Sequence, residues 1–389
     1  MIDHMKYQPV KIAAIGSGMI SDTYYQNLKN RFYITDLVGC ADMVDEKAAK
    51  QAEKYGIRKM TVDEILSDPS IELVANLTYA ASHYEVSKKI LESGKHLYSE
   101  KMLASDMKEA DELKALYERS GRMAAAAPDT FLGATLQSAR HYLDMGMIGS
   151  PIVGSIVLGR SYQLVKSDED DAYRRFSVMR RGGGLPYDMG GYYLHALFNM
   201  FGPVKNVSGR MFTRNASRPQ LNPRHTDFGD NFFVDTPNTL AATLEFRSGF
   251  LCNIAMTSDA GAGEHVFEIL GDEGTLYVGD PNEFGDANRV KRRGAETQEM
   301  PLLCPFRDSL RGVGIADMCW ALRTGRKPRL SFEMGYHALE VIEAVGEAGK
   351  TGKRIELSTT FDRPAPISTL SYAGGAEERS LAVSSSCVL

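Results

Sequence analysis

The chain has 389 residues, 43% hydrophobic and 24% charged, with a net charge of −5. That length supports two domains around a large core, and the mild acidity gives no electrostatic reason to expect nucleic acid or an anionic membrane as a partner. No apolar run reaches the ~18 residues of a membrane span, and the opening MIDHMKYQPV lacks an apolar signal core. The five scattered cysteines form no CxxC or Cys/His metal spacing, which fits free thiols in a reducing, cytoplasmic setting and no metal site.

In chain order, VKIAAIG (residues 10–16) is a short apolar run that reads as a buried parallel strand. A helical stretch through Leu28 follows, then a second buried strand, ITDLVGCAD, ending at Asp42. VDEKAAKQAEKYG reads as a helix closed by Gly56. Strand IELVANLT, helix HYEVSKKILESGK, strand HLYSEK, helix SDMKEADELKALYERSG and strand RMAAAAPD continue the alternation to residue 128. Such alternation predicts a parallel sheet with helices on both faces. Beyond it a helix is expected over 131–146. Extended segments follow, with turn signals Arg247-Ser248-Gly249 and Gly271-Asp272-Glu273-Gly274, and then a late amphipathic helix, SFEMGYHALEVIEAVGEAGKTG. The expected fold class is α/β: a dinucleotide-binding domain over 1–128, then a substrate and oligomerisation domain over 129–364 built on an open, mostly antiparallel sheet. Residues 365–389, rich in Ser, Ala and Gly, read as a disordered tail.

Gly16-Ser17-Gly18-Met19-Ile20-Ser21 is GxGxxS between a strand and a helix. Gly16 permits the tight turn, Gly18 admits a pyrophosphate to the backbone, and Ser21 is small enough for helix–strand packing. The first helical residues, Met19 and Ile20, offer free N–H groups to phosphate. Asp42 at the end of the second strand suits a ribose 2′-hydroxyl, or else it is a simple helix cap. No Arg or Lys follows to take a 2′-phosphate, so the pattern favours NAD over NADP.

GGGLPYDMGGYYLH (182–195) places Asp188, Tyr192 and His195 at i, i+4 and i+7, one face of a helix. Together with AAIGSGMIS, LVGCAD, HYEVSKKILESGKHLYSEKMLA, EILGDEGTLYV and RTGRKPRLSFEMGYHALEVIEA, this stretch resembles the Gfo/Idh/MocA family of sugar and polyol oxidoreductases. The resemblance runs over residues 8–364. It implies an N-terminal Rossmann domain and a C-terminal α/β domain whose open sheet serves oligomerisation. The family's EKP appears here as Glu100-Lys101-Met102, which makes Lys101 the implied catalytic lysine; read from the residues alone, Lys101 could equally be a surface lysine paired with Glu100. In a buried site a lysine pKa falls into a range useful for proton transfer. The family's Asp-x-Gly-x-His/Tyr signature has its tyrosine form in Asp188–Tyr192. Asp188 is then expected to orient substrate and Lys101. His195 is the candidate base or relay with Lys101 as partner or rival, and Tyr192 is a substrate hydrogen-bond donor, or the proton donor if His195 points away. Thr78 and His83 are expected near the cofactor with Glu100, and Asp129 near the substrate. Arg174, Arg175, Arg180 and Arg181 form a basic loop, read as solvated.

These expectations make the protein an NAD-dependent dehydrogenase oxidising a secondary hydroxyl of a small-molecule sugar or glycoside at C3, as a homo-oligomer without membrane or nucleic-acid partner. The alternatives at this level are an inositol or polyol dehydrogenase, a glycosidase working through transient C3 oxidation, and a non-catalytic NAD sensor.

Overall fold

The computed structural model describes residues 7–161, 181–219 and 228–367. Arg174, Arg175 and Arg180 of the basic loop, and positions 368–389 of the expected tail, lie outside the described residues.

The first sheet holds β1 (Val10–Ile15), β2 (Thr35–Ala41), β3 (Arg58–Lys59), β4 (Leu73–Asn76), β5 (His96–Ser99) and β6 (Ala124–Ala126) in the order β3-β2-β1-β4-β5-β6. All its pairings are parallel. Between the strands run α1 (Met19–Asn30), α2 (Asp45–Tyr55), α3 (Val62–Ser67), α4 (His83–Glu92) and α5 (Met107–Ser120). This is a Rossmann sheet, and the strand residues are buried on both faces because helices cover both. The α2 helix ends where Gly56 turns left-handed at φ 60. β3 and α3 were not expected. They are short, and α3 is set by the capping box of Thr61 and Glu64 rather than by a long apolar period.

The second sheet has nine strands: β7 (Pro151–Ser161), β8 (Val204–Phe212), β11 (Thr239–Phe246), β12 (Leu251–Thr257), β13 (Asp259–Gly271), β14 (Gly274–Tyr277), β15 (Asn288–Arg292), β16 (Gln298–Met300) and β17 (Ile355–Glu356). Two further strands, β9 (Ser217–Pro219) and β10 (Asn231–Phe233), pair with each other. The large sheet is antiparallel except for β7 beside β12. Its inner face carries Ile156, Leu240, Leu244, Ile254 and Met256, all buried; its outer face carries the exposed Val157, Ala241, Thr243 and Asn253. That alternation is the signature of a sheet covered on one side only.

Among the described residues five further α-helices follow: α6 (Ala134–Asp144), α7 (Leu185–Asp188), α8 (Gly190–Phe201), α9 (Val313–Thr324) and α10 (Phe332–Thr351). α10 bridges the sheets. It packs on β8, and a methyl added at its Gly335 would stand 2.6 Å from the Ala126 side chain of β6. α9 belongs spatially to the first sheet. Asn27 of α1 donates to the Ser309 and Arg311 carbonyls, Arg323 binds Glu72 and the Gln8 and Pro9 carbonyls, and Trp320 meets Tyr7 and Tyr33 edge-on. The split at residue 128 therefore leaves out a helix that returns to the first domain. The expected tail also begins too early, because Ile367 is fully buried and its N–H donates to Gln137.

Candidate active site

The glycine loop follows β1. Gly16 has φ +109, and a Cβ there would lie 2.5 Å from the Leu77 carbonyl, so only glycine lets the loop pass β4. Gly18, by contrast, has nothing within 4 Å of a Cβ, and no side chain caps α1. The first N–H groups of α1 thus point into open space, with Met19 61% exposed. Asp42 accepts hydrogen bonds from the Ser17 N–H at 2.7 Å and the Val44 N–H at 2.8 Å. It fixes the loop and presents a carboxylate at the carboxyl end of β2. An uncapped helix start, a close-approach glycine and that carboxylate fit the pyrophosphate and ribose of NAD.

At the end of β5, Glu100 spends one oxygen on the Tyr24 hydroxyl (2.6 Å) and the other on the Lys101 N–H (3.0 Å). The next peptide, Lys101–Met102, is cis. The Lys101 ammonium donates to Asp188 Oδ1 at 2.6 Å and to the Asp188 carbonyl at 2.9 Å, and it stands 5.3 Å from the Tyr192 ring centroid. The two partners of the ion pair are 12% and 13% exposed, so the pair opens to the cleft without lying on the surface. α7 ends at Asp188 and α8 begins at Gly190, which brings Asp188 and Tyr192 together against the carboxyl edge of the first sheet. Thr78 donates to Asn76 at 2.6 Å, at the end of β4.

Four expected site residues are placed otherwise. His195 is 1% exposed between Phe131 and Phe198, and its Nδ1 donates to the Gly191 carbonyl at 2.9 Å. Burial holds its pKa down at about 4, so the ring is neutral at physiological pH and sits in an apolar layer. α8 is buried all round, so membership of one helical stripe did not bring His195 to the cleft. Asp129 is 1% exposed and takes the N–H groups of Gly312 (2.8 Å) and Gly314 (3.0 Å) at the start of α9. Burial raises its pKa to about 6, although those two donors pull the other way. It anchors the start of α9 and is closed off from solvent. His83, also 1% exposed, lies between the Met102 carbonyl (2.7 Å) and the Thr78 carbonyl (2.9 Å), behind the cleft wall; burial keeps its pKa below the usual histidine value. Glu100 likewise faces inward. Arg181 of the basic loop is exposed and paired with Asp106.

Arg311, just before α9, was missed. Its guanidinium donates to the Asn282 side chain at 2.6 Å and to the Asn282 carbonyl at 3.3 Å. Burial opposes its charge, but the surrounding Tyr192, Tyr24 and Asp129 outweigh that and hold the guanidinium above its ordinary range. Nothing local in LRGVG announces this, because Asn282, Tyr24 and Asp129 come near Arg311 only through the fold. Among the described residues no group of acidic, Cys and His side chains could hold a metal, and no helix is long and apolar enough to cross a membrane.

Comparison with known proteins accounts for this arrangement. Residues 10–127 match the oxidoreductase family model for the NAD-binding Rossmann fold of GFO_IDH_MocA, and residues 136–277 match the GFO/IDH/MocA C-terminal domain. The chain belongs to the Gfo/Idh/MocA family. It is 25% identical to scyllo-inositol 2-dehydrogenase (NAD(+)) of Bacillus subtilis over 285 residues, 71% of this chain and 75% of that one. It is 26% identical to D-xylose dehydrogenase of Paenarthrobacter nicotinovorans over 45% of each chain. Levoglucosan dehydrogenase in complex with NADH superposes with a TM-score of 0.76 at 18% identity, covering 90% of this chain and all of that one, 100%. At that identity the likeness is one of fold. As a Gfo/Idh/MocA protein the chain is an NAD-dependent sugar or polyol oxidoreductase, with an NAD-binding Rossmann fold over residues 10–127.

Proposed function

We propose that the enzyme oxidises the C3 hydroxyl of a glucoside-like sugar to a ketone. The observation that carries the reading is the cluster of Lys101, Asp188 and Tyr192, where a paired ammonium and a phenol meet beside the cofactor cleft. NAD, when bound, supplies the hydride acceptor. The chain's part is to fix the reacting hydroxyl and to take its proton. Lys101, held by Asp188, orients the hydroxyl oxygen; in the reverse direction the Tyr192 phenol gives its proton to the ketone oxygen, and in the forward direction the resulting phenolate takes that proton back. His195, neutral and sealed among aromatic rings, is outside that path. Relatives that act on an inositol and on levoglucosan support a cyclic polyhydroxy substrate, and inositol oxidation is the second reading.

The test is a panel of glucosides, galactosides and inositols followed at 340 nm, with the product identified by mass and NMR. A 3-keto glycoside supports the reading. An inosose, or free aglycone without a keto sugar, replaces it with the polyol or the glycosidase alternative. Lys101→Met is expected to lose turnover by about 100-fold or more while keeping NADH affinity.

We further propose a homo-oligomer that buries the outer face of the large sheet and works in the cytoplasm. That face holds a shallow depression of about 530 Å³ lined by Ser155, Val157, Ala241, Thr243, Asn253 and Ala255. The small, flat side chains there suit a second sheet laid against it.

A further inference from the structure

Lys101 is held at both ends. Its ammonium is fixed by Asp188 of α7. Its backbone is fixed by two buried side chains that pack on the first sheet. On one side the Lys101 N–H donates to one Glu100 oxygen at 3.0 Å, and the other Glu100 oxygen takes the Tyr24 hydroxyl of α1 at 2.6 Å. On the other side the Met102 carbonyl stands 2.7 Å from Nδ1 of His83, the first residue of α4. The second ring nitrogen, Nε2, stands 2.9 Å from the Thr78 carbonyl. A carbonyl only accepts, and a neutral imidazole has one N–H to give, so the shorter contact assigns that proton to Nδ1 and the Met102 carbonyl. The ring is seated by the buried Asn76 side chain, which donates to the His83 carbonyl at 3.0 Å and accepts from the Thr78 hydroxyl at 2.6 Å. Thr78 follows Leu77, whose carbonyl lies against the Gly16 turn. Tyr24 and His83 thus tie the lysine's backbone to α1 and to residues 77–78, the two segments that border the glycine loop.

We propose that His83 and Tyr24 are positioning residues for Lys101: they fix its backbone relative to the glycine loop, so that the ammonium meets the reacting hydroxyl where the cofactor lies. A lysine carries its charge on a flexible four-carbon stem. Asp188 alone cannot set that stem, because it belongs to α7 and not to the first sheet; the ion pair could persist while the lysine's backbone moved. The two buried contacts remove that freedom. His83 and Tyr24 are each 1% exposed, so no bulk water stands ready to replace a lost donor. A Met102 carbonyl or a Glu100 oxygen left without its partner has to move to find another. A shift of ~1 Å at a reacting group is enough to cost about 100-fold in rate. Both side chains are closed off from solvent, so their effect on turnover passes through Lys101.

The inference rests on Lys101 orienting the reacting hydroxyl and not on which sugar is oxidised, so its test uses whichever panel carbohydrate the wild-type enzyme turns over best. The amide nitrogen of an asparagine takes the place of Nδ1, and that of a glutamine the place of Nε2. His83→Gln leaves the Met102 carbonyl without its donor. Counted per NADH-binding site, its kcat is expected to fall by at least ~10-fold, towards the ~100-fold that a 1 Å misplacement costs, with KM and NADH affinity little changed. His83→Asn keeps the donor to Met102 and should retain most of the wild-type kcat. A merely structural histidine would lower the melting temperature in both variants without separating their kcat values. Tyr24→Phe keeps the ring edge-on to Tyr98 and removes only the hydroxyl that holds Glu100; kcat should again fall with KM and NADH affinity held. Equal kcat in the Asn and Gln variants, wild-type kcat in Tyr24→Phe, or a rise in KM with kcat intact overturns the proposal. If the His83 variants do not fold, Tyr24→Phe decides by the same measures. Lys101→Met keeps the two failures apart. Wild-type turnover there removes the reading of Lys101 itself, whereas a large loss there beside an unaffected His83→Gln removes only the clamp.

Discussion

Asp129 and His195 carry charge costs of opposite sign, and pH separates them. The folded-state pKa of Asp129 is raised from 3.8 to about 6 by burial. Between those values the folded protein keeps a proton that the unfolded chain has lost, so this residue's contribution falls as pH rises from about 4 to 6, by up to roughly 3 kcal/mol. His195 is lowered from 6.5 to about 4; its contribution is complete above 6.5 and is lost as pH falls through that window. The two partly cancel in the wild type. The unfolding free energy of wild type minus that of Asp129→Asn should therefore decline from pH 4 to pH 6 and run level above it. A difference that is level throughout would mean that Asp129 is not buried against α9. Both residues show how far sequence reading reaches at this scale. A carboxylate after the last parallel strand looks the same whether it faces a cleft or a helix start arriving 183 residues later. A histidine on a polar-looking stripe looks the same whether that stripe faces the cleft or a wall of phenylalanines. Lys101 and Asp188 were readable because short motifs carry them. Arg311 was not, because the Asn282 side chain that holds it lies elsewhere in the chain.

At the scale of elements, the strand–glycine–helix unit of β1 and α1 was legible in full, since its apolar run, its turn residues and its helix are contiguous in the chain. It also makes a sharp prediction. Gly16→Ala puts a methyl 2.5 Å from the Leu77 carbonyl at a φ of +109, so β1 and β4 have to separate where the cofactor loop passes between them. NADH binding should be lost and the melting temperature lowered. Gly18→Ala meets nothing within 4 Å in the protein alone and should keep wild-type stability while weakening NADH, since only the cofactor needs that space. Equal loss of stability in both variants would refute this division of labour. α9 escaped the sequence reading for the opposite reason. Its residues are buried almost all round, so no amphipathic period sets the helix apart from the loop before it.

For the whole molecule, the uncovered face of the nine-stranded sheet is where the proposed association is tested. Val157→Arg adds a bulky charge to the centre of that face, where the side chain is 38% exposed in the single chain. If the face is an interface, light scattering should find an oligomer for the wild type and a smaller species for the variant, with the fold intact by circular dichroism. A wild-type monomer would remove the proposal. The return of α9 to the first sheet bears on a different matter, the order in which the protein comes into being. Asn27 finds its partners only at Ser309 and Arg311, and Glu72 finds Arg323 only near residue 323. A nascent chain that has emerged as far as residue 128 has made every strand of the cofactor sheet and still lacks one of the helices that cover it. The nicotinamide half is therefore not a cassette to be excised or exchanged between enzymes at that boundary. It comes to completion only when most of the polypeptide has left the ribosome.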